Sequence, residues 1–393
     1  MAVEERKGCG IAEPEITLAA FPDFGKLAEE WRALEERARA FSFFQSWTWL
    51  GCLAAERFAE PVLVRATRQG KTVGLALFNR RCNTLYLAES GDRDRDSIYI
   101  EHNAPLVEQG APPELQQRIL AAAWSVPGIR RLVLSGVPHA LPAAAGGIPL
   151  RLRTQPAPFV DLEAIRGSDF LTTRSRNTRA QLRRSLRHFE ALGPISLSRP
   201  GSDAETLAWL AEMIRLHADA WQSRGKPGAF AGSFMRRFHE ALAREARGRG
   251  ELDLLRIDAG GQVLGFLYNF RHGGTVYAYQ SGFRQFPGTP QARPGVVGHA
   301  LAIEEALAAG LTRYDFLAGD ARYKRSLATG ETMLAWAELV RPDIVGRVHA
   351  KVHALVSGIR GRLAPSRRTG LLSSRRAASS GDRTPPRQPQ ERA

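Results

Sequence analysis

Two stretches of this chain, residues 63–91 and 254–282, align without a gap at a constant offset of 191. Leu63 and Leu254, Arg65 and Arg256, Gly70 and Gly261, Gly74 and Gly265, and Arg80 and Arg271 are identical pairs. So are Thr84 and Thr275, Tyr86 and Tyr277, Ser90 and Ser281, and Gly91 and Gly282. Two unrelated hairpins would not keep one register through two successive turns, so the chain carries an internal repeat of a whole domain. At 393 residues it is also too long for one ordinary core.

Each copy reads as three strands. In the second, 252–257 and 263–271 flank Asp258-Ala-Gly-Gly, a turn whose glycines accept positive φ, and 275–283 follows a second glycine pair. The first copy runs 62–67, 72–80 and 84–89. A helix comes next, over 113–126 or 296–310, and then a further strand, over 130–134 or 312–317. Helical segments precede both hairpin sets, over 22–40 and 44–58 in one and over 172–191, 203–222 and 231–248 in the other. This repeated order predicts the α/β class, as two tandem domains that are each a mixed sheet flanked by helices. The expected divisions are a flexible N-terminus over 1–15, a first domain over 16–160, a second over 161–345 and a basic tail over 346–393, largely disordered after 360. The proline-rich stretch 138–158 is expected to hold the hinge.

The net charge of +15 suggests nucleic acid until it is located. From Arg360 to Ala393 nine arginines stand against Asp382 and Glu391, so nearly half the excess sits in a Ser-, Pro- and Arg-rich end that cannot bury enough apolar surface to order itself. Six more arginines lie between Arg174 and Arg187. The remaining body is close to neutral, so no specific nucleic-acid partner is expected. Cys9, Cys52 and Cys82 show neither disulfide nor zinc spacing, and no metal is expected. No run of 18 apolar residues exists and the start lacks an apolar signal region, which together predict a cytoplasmic protein.

The repeat lets the halves be compared position by position. After its third strand the first copy continues Asp92-Arg-Asp-Arg-Asp96, an alternation that would repel a pyrophosphate. The second continues through Arg293-Pro-Gly295-Val296-Val-Gly298, with an arginine and glycines just before a helix, where free N–H groups suit phosphate. In the strand after the helix, Val133 of the first copy corresponds to Asp315 of the second. Asp320, Tyr323 and Lys324 follow within ten residues of Asp315, and Lys324 is one of six lysines against 49 arginines. A lysine here is therefore not the chain's default cation.

These residues carry a resemblance. Val276 to Phe283, Arg293-Pro-Gly295, Ala302-Ile-Glu-Glu-Ala306 and Tyr314 to Lys324 together resemble the CelD/BcsL-like acetyltransferase domain of the GNAT superfamily, over roughly 165–340. The upstream half resembles a degenerate partner in the same tandem arrangement, which FemAB-type transferases share. The resemblance implies two GNAT-like domains and direct acyl transfer from a thioester, usually acetyl-CoA, to an amine or hydroxyl, often of an exopolysaccharide or cell-envelope acceptor. It implies that the thioester's pantetheine pairs with the strand around Tyr279, Gln280 and Ser281. Its phosphates would rest on Arg293, Gly295, Val296 and Gly298. Asp315 is assigned as base or substrate orienter, Lys324 as oxyanion stabiliser or as a contact to an acidic acceptor, and Tyr279 and Tyr323 as acids for the leaving thiolate.

In the 173–190 segment Leu182, Leu186 and Phe189 form a helix stripe, with Arg176, Arg179, Arg183 and Arg187 on a neighbouring face. With Asp320, the first three arginines are assigned to a small-molecule or saccharide acceptor, nucleotide- or lipid-linked, because guanidinium pairs well with phosphate. The basic tail is assigned to peripheral membrane contact. Two competing readings are a FemAB-like transfer from charged tRNA and a non-catalytic pair of GNAT folds acting as a scaffold.

Overall fold

A computed structural model describes residues 12–38 and 41–363, with side chains placed as far as Val356. The strands are β1 Glu15–Ala19, β2 Pro61–Arg68, β3 Lys71–Arg81, β4 Thr84–Leu87, β5 Leu106–Val107, β6 Arg131–Pro138 and β7 Ile148–Asp161. They continue with β8 Ile195–Ser198, β9 Leu252–Ala259, β10 Gln262–His272, β11 Thr275–Phe283, β12 Arg313–Asp315 and β13 Gly330–Val340. The offset of 191 survives folding: β9 and β10 begin and end 191 residues after β2 and β3. The fold class is α/β, and one mixed sheet runs through both halves in the order β1-β2-β3-β4-β6-β13-β7-β12-β11-β10-β9-β8.

The centre of that sheet shows what the repeat alone does not. β13, at the end of the second copy, pairs antiparallel with β6 of the first, while β7, at the end of the first, pairs antiparallel with β12 of the second. β7 and β13 then pair with each other over their whole lengths and weld the halves. A cut at 160/161 falls at the last residue of β7 and leaves each half's sheet bordered by the other's strand. The expected hinge is therefore corrected to a strand. Pro156 and Pro158 fit because their carbonyls accept from Gly319 and Phe316, on the edge away from β13. A residue's N and O share one edge, so the missing N–H groups fall where β12 has already ended and no ladder bond is lost.

The expected helix over 44–58 is also corrected: the chain makes a 3-10 turn at Phe43–Gln45 and two short helices, Trp47–Leu50 and Ala54–Arg57. Ser42 and Gln45 cap each other, and the two phenylalanines project into the second half. Phe43 stacks on Phe270 at 4.2 Å and Phe44 meets Tyr277 edge-on, so this turn is a wedge between the copies. The helices Asp203–Gln222 and Ser233–Gly248 follow the sequence reading, as does Arg176–Glu190 after a 3-10 turn. The chain divides into two compact units after Lys351. A helix, Ile344–Leu363, occupies residues assigned to the tail. The segments 1–11 and 364–393 lie outside the described residues. Among the described residues no helix is long and apolar enough to cross a membrane.

Candidate active site

β11 and β12 run parallel only from Thr275/Arg313 to Tyr277/Asp315, and then separate. Opposite this point β11 takes three steps, Tyr277 to Gln280, while β10 takes two, Phe270 to Tyr268. The extra residue is a β-bulge, which breaks the ladder and re-aims backbone groups. A fork with a bulged wall results. It opens into a cavity of about 820 Å³.

Five segments line the cavity. β11 contributes Ala278 to Ser281 and Phe283, and the helix Pro294–Ala308 contributes Gly295, Val296 and His299 behind Arg293. The 316–324 loop and helix supply Phe316, Leu317, Ala318, Ala321, Tyr323 and Lys324. The end of the helix Asp203–Gln222 and its following turn supply His217, Trp221, Arg224 and Lys226. The first half adds Tyr99 and Glu101, which the sequence reading missed.

Glu101 is the carboxylate on the cavity wall. It accepts the Ala318 N–H, the 317–318 turn in turn accepts two hydrogens from Lys324 Nζ, at 3.1 Å on Leu317 O and 2.8 Å on Ala318 O. One ammonium hydrogen of Lys324 is left over. Burial pushes Glu101 above the usual carboxylate range, against the pull of the Ala318 N–H and Lys324. Burial likewise lowers Lys324, against the attraction of Glu101 and Asp315. Both groups thus move toward the range where proton transfer at neutral pH is efficient.

Asp315 sits behind this wall. Its register opposite Tyr277 matches that of Val133 opposite Tyr86, so the two positions correspond in the fold as they do in the sequence. The role assigned there is corrected, because the carboxylate is fully buried and committed. It accepts the Leu317 N–H at 2.8 Å, pairs with Arg313 at 2.9 Å and lies 3.3 Å from His102 Nε2. Burial would raise Asp315, but His102 and Arg313 hold it below its ordinary value. Burial also opposes a charge on His102, yet Asp315 raises it. Asp315 is therefore committed to Leu317, Arg313 and His102, the neighbour of Glu101, and does not line the cavity.

Three other assignments change. The Tyr279 hydroxyl is buried and donates to Ile98 O, so it is not free to protonate a leaving group. Gly298 does not line the cavity. A Cβ there would stand 3.1 Å from the Phe283 ring, and one at Gly295 would stand 3.3 Å from it, so both glycines seat Phe283 against the helix. Asp320 is exposed and paired with Arg325 at 3.0 Å. Tyr323 stays on the wall, stacked on His299 at 5.3 Å, with its hydroxyl pushed up to about 12 by burial. His299 donates or accepts at Tyr314 Oη, 2.9 Å away, and burial drives it down to about 3, so it is a neutral ring.

The basic helix is turned the other way from expectation. Asn177, Thr178, Gln181 and Ser185 line a smaller cavity of about 200 Å³ beside the first, together with Arg293, Arg322, Tyr323 and Ser326. Arg176 and Arg183 are exposed on the opposite face, and Arg179 caps the preceding turn through Thr172 O and Arg174 O. Gln181 accepts from Arg293 at 2.7 Å, which ties the uncharged face to the start of the helix Pro294–Ala308. The arginines point outward because Leu182 and Phe189 must be buried, and that fixes the helix rotation.

His217 is the other residue without a sequence assignment. Its Nδ1 lies 2.9 Å from Ser281 O and its Nε2 accepts the Ala229 N–H at 3.1 Å, which makes Nδ1 the protonated nitrogen. Burial lowers its basicity, so it is a neutral clamp on the open end of β11. Just beyond it, Arg224 and Lys226 both lie over the Trp221 ring at the cavity rim. The Trp-Gln-Ser-Arg-Gly-Lys-Pro-Gly run was a signal available in the sequence, since it holds another of the six lysines.

A bulged strand that splays from its parallel neighbour next to a helix N-terminus gives the second half a GNAT-like fold. Residues 176–325 match a family model described as an acetyltransferase (GNAT) domain. Among solved structures, FemX is similar with a TM-score of 0.55 at 12% identity, over 86% of this chain and 100% of that one. The C-terminal domain of a lysylphosphatidylglycerol synthetase from Agrobacterium fabrum scores 0.49 at 12% identity, over 85% and 97%. A tandem GNAT protein from the clavulanic acid biosynthesis pathway scores 0.44 at 13% identity, over 84% and 100%. No curated protein matches the chain.

Proposed function

We propose that this protein transfers an acyl group from acetyl-CoA or another acyl-CoA to an amine or hydroxyl acceptor, inside the β11/β12 fork. The observation that carries this reading is the bulge at Tyr277–Gln280 on the open side of the fork. Backbone groups released from the ladder there pair with the amides of an extended pantetheine arm and face the thioester oxygen, where negative charge develops. Phosphate groups would meet Arg293, the Gly295 N–H, and Arg224 and Lys226 at the rim. Pro294 has no N–H, and those of Val296 and Val297 return to Arg293 O, so side-chain cations carry most of this contact.

Glu101 takes the proton of the acceptor amine or hydroxyl as its nitrogen or oxygen bonds to the acyl carbon. The carbon–sulfur bond breaks, and the Tyr323 hydroxyl gives its proton to the departing thiolate. The remaining hydrogen of Lys324 faces the charge that builds during the step. The acceptor is proposed to be an envelope or exopolysaccharide saccharide or its precursor, nucleotide- or lipid-linked, modified in the cytoplasm.

Calorimetric titration of acetyl-CoA into the full chain tests the donor. Micromolar binding that disappears in Val296→Glu, with unchanged thermal stability, supports the reading. Absence of heat with acetyl-CoA and with free CoA sinks it, and binding of charged tRNA in its place would move the reaction to aminoacyl transfer.

A further inference from the structure

The helix Ile344–Leu363 carries a set of large apolar residues that none of the described residues covers. Ile344 is 77% exposed, Leu355 67%, Val345 60%, Val348 56% and Val352 54%. Val356 is exposed as well. At about 100° per residue these six positions fall within an arc of about 120°, a single continuous stripe. Chance would scatter them. Arg347 and Lys351, both exposed, border one side of the stripe, and His349 and His353 border the other. The chain then continues with nine arginines against two acids from Arg360 to Ala393.

We infer that this helix lies on an anionic lipid surface, with its valines, Ile344 and Leu355 among the upper acyl chains and its cations at the headgroups. The charge balance selects the occupant. A stripe bordered by cations and followed by a run of arginines would repel a second copy laid beside it, whereas anionic headgroups attract both. The geometry also fits lying on the surface and not spanning it, because the helix is not apolar enough to cross a bilayer. Each of two forces is modest alone, and the combination of apolar burial with basic residues makes binding stable and reversible.

Co-sedimentation of the full chain with unilamellar vesicles tests this, using phosphatidylglycerol mixed with phosphatidylcholine against phosphatidylcholine alone. The anionic vesicles should bind the chain, and each basic residue replaced, as in Lys351→Glu, should weaken binding about fivefold or more. Val348→Glu with Val352→Glu and Leu355→Glu should release it, while the body keeps its melting temperature. Two results would overturn the inference. One is a triple variant that binds like the wild type, which leaves the apolar stripe without a role. The other is light scattering that shows a dimer in the wild type and a monomer in the triple variant, which makes a second copy the occupant.

Discussion

The two copies make the same fork and use it in opposite ways. In the first, β4 and β6 run parallel over Thr84–Tyr86 and then diverge, as β11 and β12 do in the second. There the gap is plugged: Asn103 Nδ2 bonds Leu87 O at 3.1 Å and Ser135 O at 3.3 Å, bridging the diverging strands. The fully buried Arg57 bonds Ala88 O, and Asp96 accepts from Ser90 and Gly91, the counterparts of Ser281 and Gly282. Leu87 O, Ala88 O, Ser135 O and the N–H groups of Ser90 and Gly91 thus each have a protein partner. Asp96, the last residue of the acidic run 92–96, helps to fill its own fork.

What fills one fork equips the other. The segment that carries Asn103 into the first fork also carries Tyr99 and Glu101 into the wall of the second. Tyr99 and His102 both have positive φ, 53° and 49°, uncommon for residues with a side chain and sustained only where surroundings over-determine the backbone. Gly136 makes room for the passage, since a Cβ there would stand 2.4 Å from Ile100 O and 2.7 Å from the Glu101 Cα. The copy with the filled fork thus builds part of the wall of the open one.

The largest test of that comparison is Glu101→Gln. If the first half supplies the base, kcat should fall by about 10²- to 10⁴-fold with little change in KM for the thioester. The wild-type rate should rise with pH through a value above the usual carboxylate range, since burial raises Glu101, and this limb should vanish in the variant. The same shift predicts that folding stability falls as pH rises from the free-carboxylate pKa through the raised folded one, and that Glu101→Gln removes this fall. Full activity in Glu101→Gln would break the comparison outright.

Gly136→Ala comes next. The clash and the positive φ of 62° should cost about 2 kcal/mol of stability, measured by chemical denaturation, with activity lost even in the folded fraction. Asn103→Ala should cost about 1–3 kcal/mol through the carbonyls it leaves unpaired, while thioester affinity stays constant. Asp315→Asn sharpens the distinction between base and positioner. It should lower kcat about tenfold by freeing His102, yet keep the acidic limb of the pH profile that Glu101→Gln abolishes. The smallest effect belongs to Arg183→Ala, which faces solvent and should change acceptor KM less than about twofold if the uncharged face is the working one.

Much of the second half was legible. Glycine pairs and alternating residues marked β9, β10 and β11 to within two residues at each end, and the pairing of Val133 with Asp315 singled out a position that the structure places in matching register. Tyr323, Lys324, Gln280, Ser281, Arg293, Gly295 and Val296 all reach the cavity. The misassigned residues share a cause. Asp315, Tyr279 and Asp320 stand near the site in sequence, but what their polar atoms touch depends on partners far along the chain or on the direction of one turn. The 176–190 arginines were read as the working face because guanidinium suits phosphate. Burial of Leu182 and Phe189 decided the rotation, and it put Asn177, Gln181 and Ser185 inward.

The amino-acid sequence by itself determined the duplication and the strands that repeat at an offset of 191. Those properties rest on periodicity and turn chemistry within about 30 residues, where local backbone preference and side-chain alternation act directly. The tertiary structure decided the exchange of β7 and β13 and the delivery of Glu101 to a turn 217 residues away. Neither leaves a local signature. An unremarkable Ile-Glu-His run becomes a cavity wall only when a bridging asparagine, a glycine without a Cβ and a buried aspartate 213 positions from His102 hold it there together.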